Sequence, residues 1–335
     1  MKVIIPAAGA GKRLHPHTYT KPKPMVSVAG KPIIGHILDR MIDLNPEEVI
    51  VVVGYMKEKL IEYINSHYSP FFKKISFAIQ EEQLGLGHAI YVAKDFIGAS
   101  EVMIALGDMI FKAGYIEFKD QYLSLQPCDG AIGVKKIDDP RNYGIVTLNK
   151  NGEIKELVEK PKYSKSKLGI AGVYFIKNTT QLFKALEDII KNRNNRNKKE
   201  IQLTDALQLM VEEGAKLRAF KVHNWYDCGR AEALLEANRV LLGEMPIFNY
   251  DFKNSAIIKP VAIASDVKIE NSVIGPYASI SEGCVIENSI IANSIIGANT
   301  KIANMYLNAS IIGDNVKLIG KVNSLNIGDS SSIEF

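Results

Sequence analysis

The feature that most limits the possible folds of this chain is a regular recurrence of aliphatic residues in its last quarter. An aliphatic residue returns every five or six positions there, and every third one marks a coil of about 16 or 17 residues. Gly, Asn, Ser and Asp fill the intervals. A β-sandwich would show strict alternation at period two, which is missing, so the spacing favours a parallel β-helix with triangular coils. The series is Ile258, Ile263, Ile269, Ile274, Ile280, Ile286, Ile291, Ile296, Ile302, Leu307, Ile312 and Leu318.

The first two-thirds of the chain alternate strand-like and helix-like segments instead. This alternation predicts an α/β fold with a doubly wound, mostly parallel sheet. In such sheets ligands bind at the carboxyl ends of the strands, and the turn at Gly9–Gly11 and the pair Gly107-Asp108 both follow strand-like segments. The strand-like segments are 2–6, 48–53, 75–79 and 102–106, and the helix-like ones are 33–44, 57–66 and 88–96.

The change of pattern divides the chain. A helix-like stretch at 231–242 precedes a segment without clear periodicity, after which the aliphatic repeat begins. We therefore expect an α/β domain at residues 1–240, a linker at 241–256 and the β-helix at 257–335.

Composition excludes several classes of protein. The net charge of +4 is small for 335 residues, and no dense basic block is interleaved with aromatics, so we expect no nucleic-acid partner. The three cysteines lie far apart, which suits a reducing cytosol better than a disulfide framework or a zinc site. The N-terminal apolar run precedes its charges, the reverse of a signal peptide, and no apolar run could cross a bilayer. We expect a cytoplasmic protein without a membrane partner.

The N-terminal glycine turn has the composition of a phosphate-binding loop. Gly9 and Gly11 would let backbone N–H groups approach phosphate oxygens, and Arg13 and Lys23 would add positive charge. The spacing matches neither the Rossmann fingerprint nor the P-loop. Taken alone, a tight turn with solvated basic side chains explains the segment about as well.

Further motifs along the first 240 residues favour phosphate binding over a plain turn. The first is Gly-x-Gly-x-Arg-Leu-x-Pro-x-Thr at residues 9–18, followed by Pro-Lys-Pro at 22–24. The second is Gln80 together with residues 85–89, and the others are residues 105–108, 139–144, 158–161, 171–175 and 225–229. In this order they resemble the motifs of sugar-phosphate nucleotidyltransferases, also called NDP-sugar pyrophosphorylases. The resemblance is greatest to glucose-1-phosphate thymidylyltransferases of the long form, which carry a C-terminal left-handed β-helix. Lys12 departs from the pattern, because the family usually has Thr or Ser there.

The resemblance implies a role for each matching residue. It implies nucleotide binding by Ala8, Gly9, Gly11, Lys12, Arg13, Gln80, Gly85 and Asp108. It implies sugar binding by Gly144, Glu159, Lys160 and Tyr174. Catalytic roles are implied for Arg13, Lys23, Asp108 and Lys160. The resemblance also implies Mg²⁺ as a cofactor, held by Asp108 and Asp227. The partners implied are a nucleoside triphosphate and a sugar-1-phosphate, which would give an NDP-sugar and pyrophosphate.

The exact substrates remain open between several alternatives. Gly85-Leu86 favours glucose-1-phosphate and dTTP, since uridylyltransferases for N-acetylglucosamine-1-phosphate often have Gly-Thr there, although UTP is a second candidate. Pro22–Met25 replaces the Ser-Lys-Gln-Leu of short thymidylyl enzymes. A UTP-dependent enzyme for glucose- or N-acetylglucosamine-1-phosphate is the first alternative. A non-catalytic sugar-nucleotide-binding scaffold is the second, but it would tolerate loss of the carboxylates and the arginine that this chain keeps.

The β-helix suggests a second role within this family. Bifunctional relatives carry an acetyltransferase on such a domain, and that chemistry uses a histidine as general base. None of the six histidines lies in residues 257–335, and the segment is short. We therefore expect an assembly or regulatory module, and a homo-oligomer formed through the β-helix.

Overall fold

The computed structural model describes residues 1–192, 200–246 and 248–321, which form two compact units. The first unit contains Met1–Val26 and Lys31–Leu234. The second contains the short segment Ser27–Gly30 together with the chain from Leu235 onward. A segment close to the N-terminus thus belongs to the C-terminal unit, which the sequence did not indicate.

The strands before the β-helix are mostly part of one mixed sheet. Their bounds are β1 Lys2–Pro6, β2 Ser27–Val28, β3 Lys31–Pro32, β4 Val49–Val53, β5 Ile75–Ile79, β6 Val102–Ala105, β7 Met109–Phe111, β8 Gly130–Lys136, β9 Gly144–Leu148, β10 Ile154–Glu159, β11 Leu168–Ile176, β12 Leu217–Lys221 and β13 Trp225–Asp227. Within the described residues the main sheet has nine strands, in the order β10-β9-β11-β6-β1-β4-β5 with β8 beside β11 and β12 beside β8.

The parallel half of this sheet is the α/β architecture that the sequence predicts. Strands β6, β1, β4 and β5 are all parallel. Every residue of β4 is buried, as is typical of a parallel strand covered on both faces. The long strand β11 then runs antiparallel to β6, β8 and β9, and so joins the parallel half to the strands that carry the later motifs.

Helices occur at the four helix-like segments with shifted ends, and the segment predicted as one helix at 88–96 forms two short helices. Three further helices in the described residues were not predicted. Their bounds are α1 Ile33–Asp39, α2 Lys57–Tyr68, α3 Leu86–Tyr91, α4 Lys94–Ile97, α5 Tyr115–Ser124, α6 Thr179–Lys191, α7 Leu203–Glu212 and α8 Ala231–Glu244. The helix expected at 33–44 ends at Asp39, and a 3₁₀ turn follows at Ile42–Leu44. The buried apolar residues of α3, α6 and α7 share one core with the sheet. No helix in the described ranges is long and apolar enough to span a membrane.

The C-terminal strands stack into a three-sided parallel β-helix, as expected of a left-handed β-helix. Their bounds are β14 Ala256–Ile257, β15 Val261–Ile263, β16 Lys268–Glu270, β17 Val273–Ile274, β18 Ala278–Ile280, β19 Val285–Glu287, β20 Ile290–Ala292, β21 Ile295–Ile296, β22 Lys301–Ala303, β23 Tyr306–Asn308, β24 Ile311–Ile312 and β25 Lys317–Ile319. Each strand from β14 to β22 pairs in parallel with the strand three further along the chain.

The register of the coils confirms the predicted period. On one side of the β-helix Ile269 pairs with Ile286, Ile286 with Ile302, and Ile302 with Leu318. These aliphatic residues point inward and form the core of the unit. The part of the predicted β-helix at 322–335 lies outside the described residues.

Candidate active site

The glycine turn after β1 is anchored by packing on one side and open on the other. Gly11 has a φ of +65°, and a Cβ there would lie 2.8 Å from Lys23 Cβ. The buried Thr18 donates a hydrogen bond from Oγ1 to the Gly11 carbonyl at 2.9 Å. A Cβ on Gly9, in contrast, would meet no atom within 4 Å. Gly11 is therefore required by the fold of the loop, whereas Gly9 leaves open space above its backbone.

The basic side chains of the loop differ in their surroundings. Lys12 and Arg13 belong to a single 3₁₀ turn, Lys12–Leu14, and both are exposed. The buried Leu14 side chain anchors that turn. Lys23 lies in the next 3₁₀ turn, Lys23–Met25. Its side chain is only 14% exposed and forms an ion pair with Asp108.

A cavity of about 340 Å³ lies at the carboxyl ends of the parallel strands. It brings together the sequence-predicted residues Ala8, Gly9, Lys23, Gln80, Gly85 and Asp108. The rest of its lining consists of Pro6, Ala7, Pro24, Gln83, Leu86, Ala89, Leu106, Gly107 and Glu200. A cavity at this edge of the sheet is where an α/β fold binds its ligand.

The predicted base-binding segment forms one wall of the cavity. Gln80 follows β5, is 5% exposed and donates from Nε2 to the Gly85 carbonyl at 3.2 Å. Its Nε2 also lies 3.1 Å from His88 Nδ1. These contacts fix the orientation of the Gln80 amide. Gly85 has a φ of +103°, and a Cβ there would lie 2.7 Å from the Ile201 carbonyl oxygen, so the backbone of this protein itself requires glycine at 85.

The two aspartates predicted to hold a metal are brought together by strands distant in sequence. Asp108 follows β6, and Asp227 is the last residue of β13, which pairs antiparallel with β7. The Cys228 N–H donates to the Asp108 carbonyl at 3.0 Å. Burial and the Asp108 carboxylate raise the pKa of Asp227, and the charges of Lys23 and Arg13 oppose that rise. Arg13, Lys23 and both carboxylates therefore influence one another.

A second cluster contains the residues predicted to bind the sugar. Glu159 at the end of β10 pairs with Gly144 on β9, and a Cβ on Gly144 would lie 3.1 Å from Glu159 Oε2. The Lys160 ammonium lies 3.3 Å from Glu159 Oε1. Thr204 on α7 donates from Oγ1 to Glu159 Oε2 at 2.6 Å. The Glu159 carboxylate is thus held from two sides.

Tyr174 connects the two clusters. It lies on β11, is 3% exposed and pairs with Ile104 of β6 on one side and Ile132 of β8 on the other. Burial raises the pKa of its phenol, and the charges of Glu159 and Asp108 raise it further. Both carboxylates therefore lie near the same neutral hydroxyl.

An aromatic group borders Asp227. The rings of Tyr143 and Trp225 have centroids 5.5 Å apart, and the Lys135 ammonium lies 5.4 Å from the Trp225 ring centroid. Burial and the charge of Asp227 raise the pKa of the Tyr143 phenol.

Two polar residues of the site were not singled out from the sequence. Gln83 lines the cavity and donates from Nε2 to the Ala8 carbonyl at 3.4 Å. Its position within the base-binding segment was a signal that could have identified it. Glu200 also lines the cavity. It arrives through the fold from the segment that precedes α7, so no local pattern marks it.

Known proteins are similar to this chain over most of its length. A family model for nucleotidyl transferases matches residues 2–244. The chain is 36% identical to the bifunctional protein GlmU of Methanocaldococcus jannaschii, over 94% of this chain and 78% of that one. It is 28% identical to a glucose-1-phosphate thymidylyltransferase of Streptomyces griseus, over 99% of this chain and 98% of that one. A crystal structure of UDP-glucose pyrophosphorylase complexed with UDP-glucose aligns with a TM-score of 0.62 at 27% identity, over 73% of this chain and 99% of that one. The chain belongs to the nucleotidyl transferase family.

Proposed function

We propose that this protein joins a sugar-1-phosphate to a nucleoside triphosphate, giving an NDP-sugar and pyrophosphate, with glucose-1-phosphate and dTTP as preferred substrates. The observation that carries the proposal is the cavity of about 340 Å³ in which the open backbone at Gly9, the Lys23–Asp108 ion pair and the fixed Gln80 amide meet. The size and lining suit a nucleotide, because a phosphate-binding loop and a polar group for the base line one pocket.

The proposed nucleotide site uses backbone, amide and cationic groups. The N–H groups around Ala8, Gly9 and Gly11 bind the phosphates, and the exposed Lys12 and Arg13 lie on the same turn. Gln80 recognises the pyrimidine edge, and its contacts with Gly85 and His88 hold the amide in one orientation.

The proposed sugar site is the cluster around Glu159. The Glu159 carboxylate accepts hydrogen bonds from sugar hydroxyls, and the Thr204 hydroxyl supports it at 2.6 Å. The backbone at Gly144 comes close to the sugar, and the buried Tyr174 phenol lies near Glu159. Lys160 is half exposed and orients the phosphate of the incoming sugar.

The two aspartates suit Mg²⁺ as a cofactor. Asp108 and Asp227 offer carboxylate oxygens, the donors that this hard ion prefers. The described residues contain no group of three or more His, Cys, Asp or Glu that could hold a metal by themselves. Substrate phosphates and water would complete the shell, as is usual for Mg²⁺. When bound there, Mg²⁺ would neutralise charge on the phosphates.

The reaction requires positioning more than proton transfer. A phosphate oxygen of the sugar-1-phosphate forms a bond to the α-phosphorus in line, and the bond from that phosphorus to the leaving pyrophosphate oxygen breaks. The nucleophile is already an anion, so no general base is needed. Arg13 stabilises the departing pyrophosphate, Lys23 the triphosphate, and Lys160 the attacking phosphate. Together they reduce the repulsion between two anionic substrates.

A UTP-dependent enzyme is the second candidate. A solved structure that is 27% identical holds UDP-glucose. UTP differs from dTTP by the methyl group of the base and the 2′-hydroxyl of the sugar, and a single methyl or hydroxyl difference is worth only a few kcal/mol at most.

The test is pyrophosphate release measured with dTTP, UTP, CTP, ATP and GTP, each paired with glucose-1-phosphate or N-acetylglucosamine-1-phosphate. We expect the highest kcat/KM with dTTP and glucose-1-phosphate, and no release when glucose replaces its phosphate ester. A scaffold would bind nucleotide without release from any pair. A preference for UTP with N-acetylglucosamine-1-phosphate would favour the alternative enzyme.

The β-helix serves assembly or regulation in this proposal. One of its faces exposes Ile290 to 45% and Tyr306 to 69%, in register with each other, which supports a homo-oligomer formed through this face. Light scattering of the intact protein measures its mass in solution. An acetyl-CoA-dependent activity that is lost on deleting residues 257–335 would overturn this role. The proposal places the enzyme in the cytoplasm, with the nucleoside triphosphates that it uses.

A further inference from the structure

The Lys23 ammonium occupies the space next to a carboxylate that would otherwise be available to a cation. It forms an ion pair with Asp108 Oδ2. The Lys23 and Asp108 side chains are 14% and 32% exposed, and both line the cavity. The pair therefore lies at the wall of the proposed nucleotide site and is largely shielded from solvent, where an ion pair is screened less than on an open surface.

The second carboxylate lies beside the same ammonium. A Cβ placed on Gly229 would be 2.7 Å from Asp227 Oδ1 and 3.3 Å from Lys23 Nζ. Both atoms thus lie within 3.3 Å of the same point beside Gly229. The Lys23 ammonium therefore lies beside both carboxylates.

The Lys23 side chain is fixed at one end and able to move at the other. Its Cβ packs against Gly11, where an added methyl group would lie 2.8 Å away. Beyond that point a lysine has a flexible stem and a compact ammonium group. The ammonium can therefore exchange one anionic partner for another in the same cavity without movement of the loop.

On the basis of the proposed function, we propose that the Lys23 ammonium takes the place of a divalent cation and holds the two carboxylates. It weakens divalent metal binding until the phosphates of a nucleotide draw the ammonium away. Metal binding and nucleotide binding are then coupled through one side chain. The coupling is reciprocal, as linkage requires. In this arrangement the nucleotide-free protein binds a divalent ion weakly although both carboxylates are present.

The test is a titration of the nucleotide-free protein with Mn²⁺, in which the electron paramagnetic resonance signal of free Mn²⁺ measures binding. Lys23→Met should bind Mn²⁺ about tenfold more tightly than the unaltered protein, because the competing charge is gone. Lys23→Arg keeps a cation and should stay within about twofold of the unaltered protein. Lys12→Met removes the same charge from an exposed position and controls for net charge. Adding Asp108→Asn to Lys23→Met should abolish the gain.

Equal Mn²⁺ affinity in Lys23→Met and the unaltered protein would overturn the proposal, as would an equal gain in Lys12→Met. Thermal unfolding of each variant confirms that it is folded. The titration needs no turnover, so it fails independently of the proposed function. If pyrophosphate release depends on metal but Lys23→Met binds Mn²⁺ with the affinity of the unaltered protein, only this inference is contradicted. Absence of release with every substrate pair removes the proposed function instead.

Discussion

At the scale of residues, the glycines of the cavity fall into two kinds that the sequence does not distinguish. Gly85 has a φ of +103°, and the Ile201 backbone fills the place of its side chain. Gly9 has neither restriction, since the space above it is open. A glycine that the protein's own packing does not require, at the wall of a cavity, is most simply explained by a ligand that comes close to its backbone.

These two positions predict opposite effects of the same substitution. Gly9→Ala should leave the free energy of unfolding within about 0.5 kcal/mol of the original while weakening nucleotide binding, because its methyl group enters only the cavity. Gly85→Ala should destabilise the fold by about 1–3 kcal/mol, because alanine at positive φ is strained and meets the Ile201 carbonyl. Urea unfolding and calorimetric titration with dTTP measure the two effects. Unchanged dTTP affinity in Gly9→Ala would contradict the assignment of the loop.

Three of the predicted residues that line the cavity follow strand ends. Gly9, Gln80 and Asp108 come after β1, β5 and β6, and they converge because the ends of parallel strands share one edge. Lys23 reaches the same cavity from a separate 3₁₀ turn. Glu200 could not be predicted in this way, because it reaches the cavity from a segment more than 90 residues beyond Asp108.

At the scale of elements, the corners of the β-helix depend on asparagine. Asn254, Asn271, Asn288 and Asn304 all have positive φ. Along this row each side-chain Nδ2 donates to Oδ1 of the next asparagine, at 3.2–3.3 Å. Asparagine tolerates the left-handed conformation better than other residues with a side chain, and the ladder joins each coil to the next. The corner thus uses both the backbone and the side chain of the residue.

Two substitutions at Asn288 separate these contributions. Asn288→Ala should destabilise the β-helix by about 1–3 kcal/mol, because it loses the ladder contacts and strains the backbone. Asn288→Gly loses the same contacts but keeps the conformation, so it should cost about 1 kcal/mol less. The midpoint of urea unfolding, followed by circular dichroism, gives both values. If glycine destabilised as much as alanine, backbone strain would not contribute at this corner.

Element types were more predictable than element partners. The period of the aliphatic residues predicted the coils of the β-helix, because one side chain per face must point inward. The strand-like segments in the first two-thirds of the chain predicted β1, β4, β5 and β6. The alternation of these segments with helices predicted a mostly parallel sheet. It did not predict that β11 runs antiparallel to its neighbours, since strand direction is set by connections across the whole sheet.

At the scale of the whole molecule, the second unit is assembled from segments far apart in sequence. Asn238 on α8 is fully buried. Its Oδ1 accepts hydrogen bonds from the Ala29 N–H at 2.9 Å and from Ser279 Oγ at 2.5 Å. Its Nδ2 donates to the Tyr277 carbonyl at 3.0 Å. One amide thus joins the segment Ser27–Gly30, a helix and a β-helix coil, which no local pattern could reveal.

Replacing this amide should destabilise the second unit more than removing any single partner. Asn238→Ala leaves the Ala29 N–H and the Tyr277 carbonyl without their side-chain partner and should cost about 2–4 kcal/mol. Ser279→Ala removes one donor from the same oxygen and should cost about 1 kcal/mol. Urea unfolding of both variants measures the difference. Equal costs would mean that Asn238 does not organise these segments.

Pyrophosphate release in the presence of both substrates tests whether the whole molecule is a catalyst. The unaltered protein should release pyrophosphate only with a nucleoside triphosphate and a sugar-1-phosphate together, in a 1:1 ratio to NDP-sugar, as the proposed in-line displacement requires. Asp108→Ala should remain folded, since Asp108 is partly exposed, and should lower kcat by at least about 100-fold. Absence of release from the unaltered protein, or near-normal turnover in folded Asp108→Ala, would contradict the account.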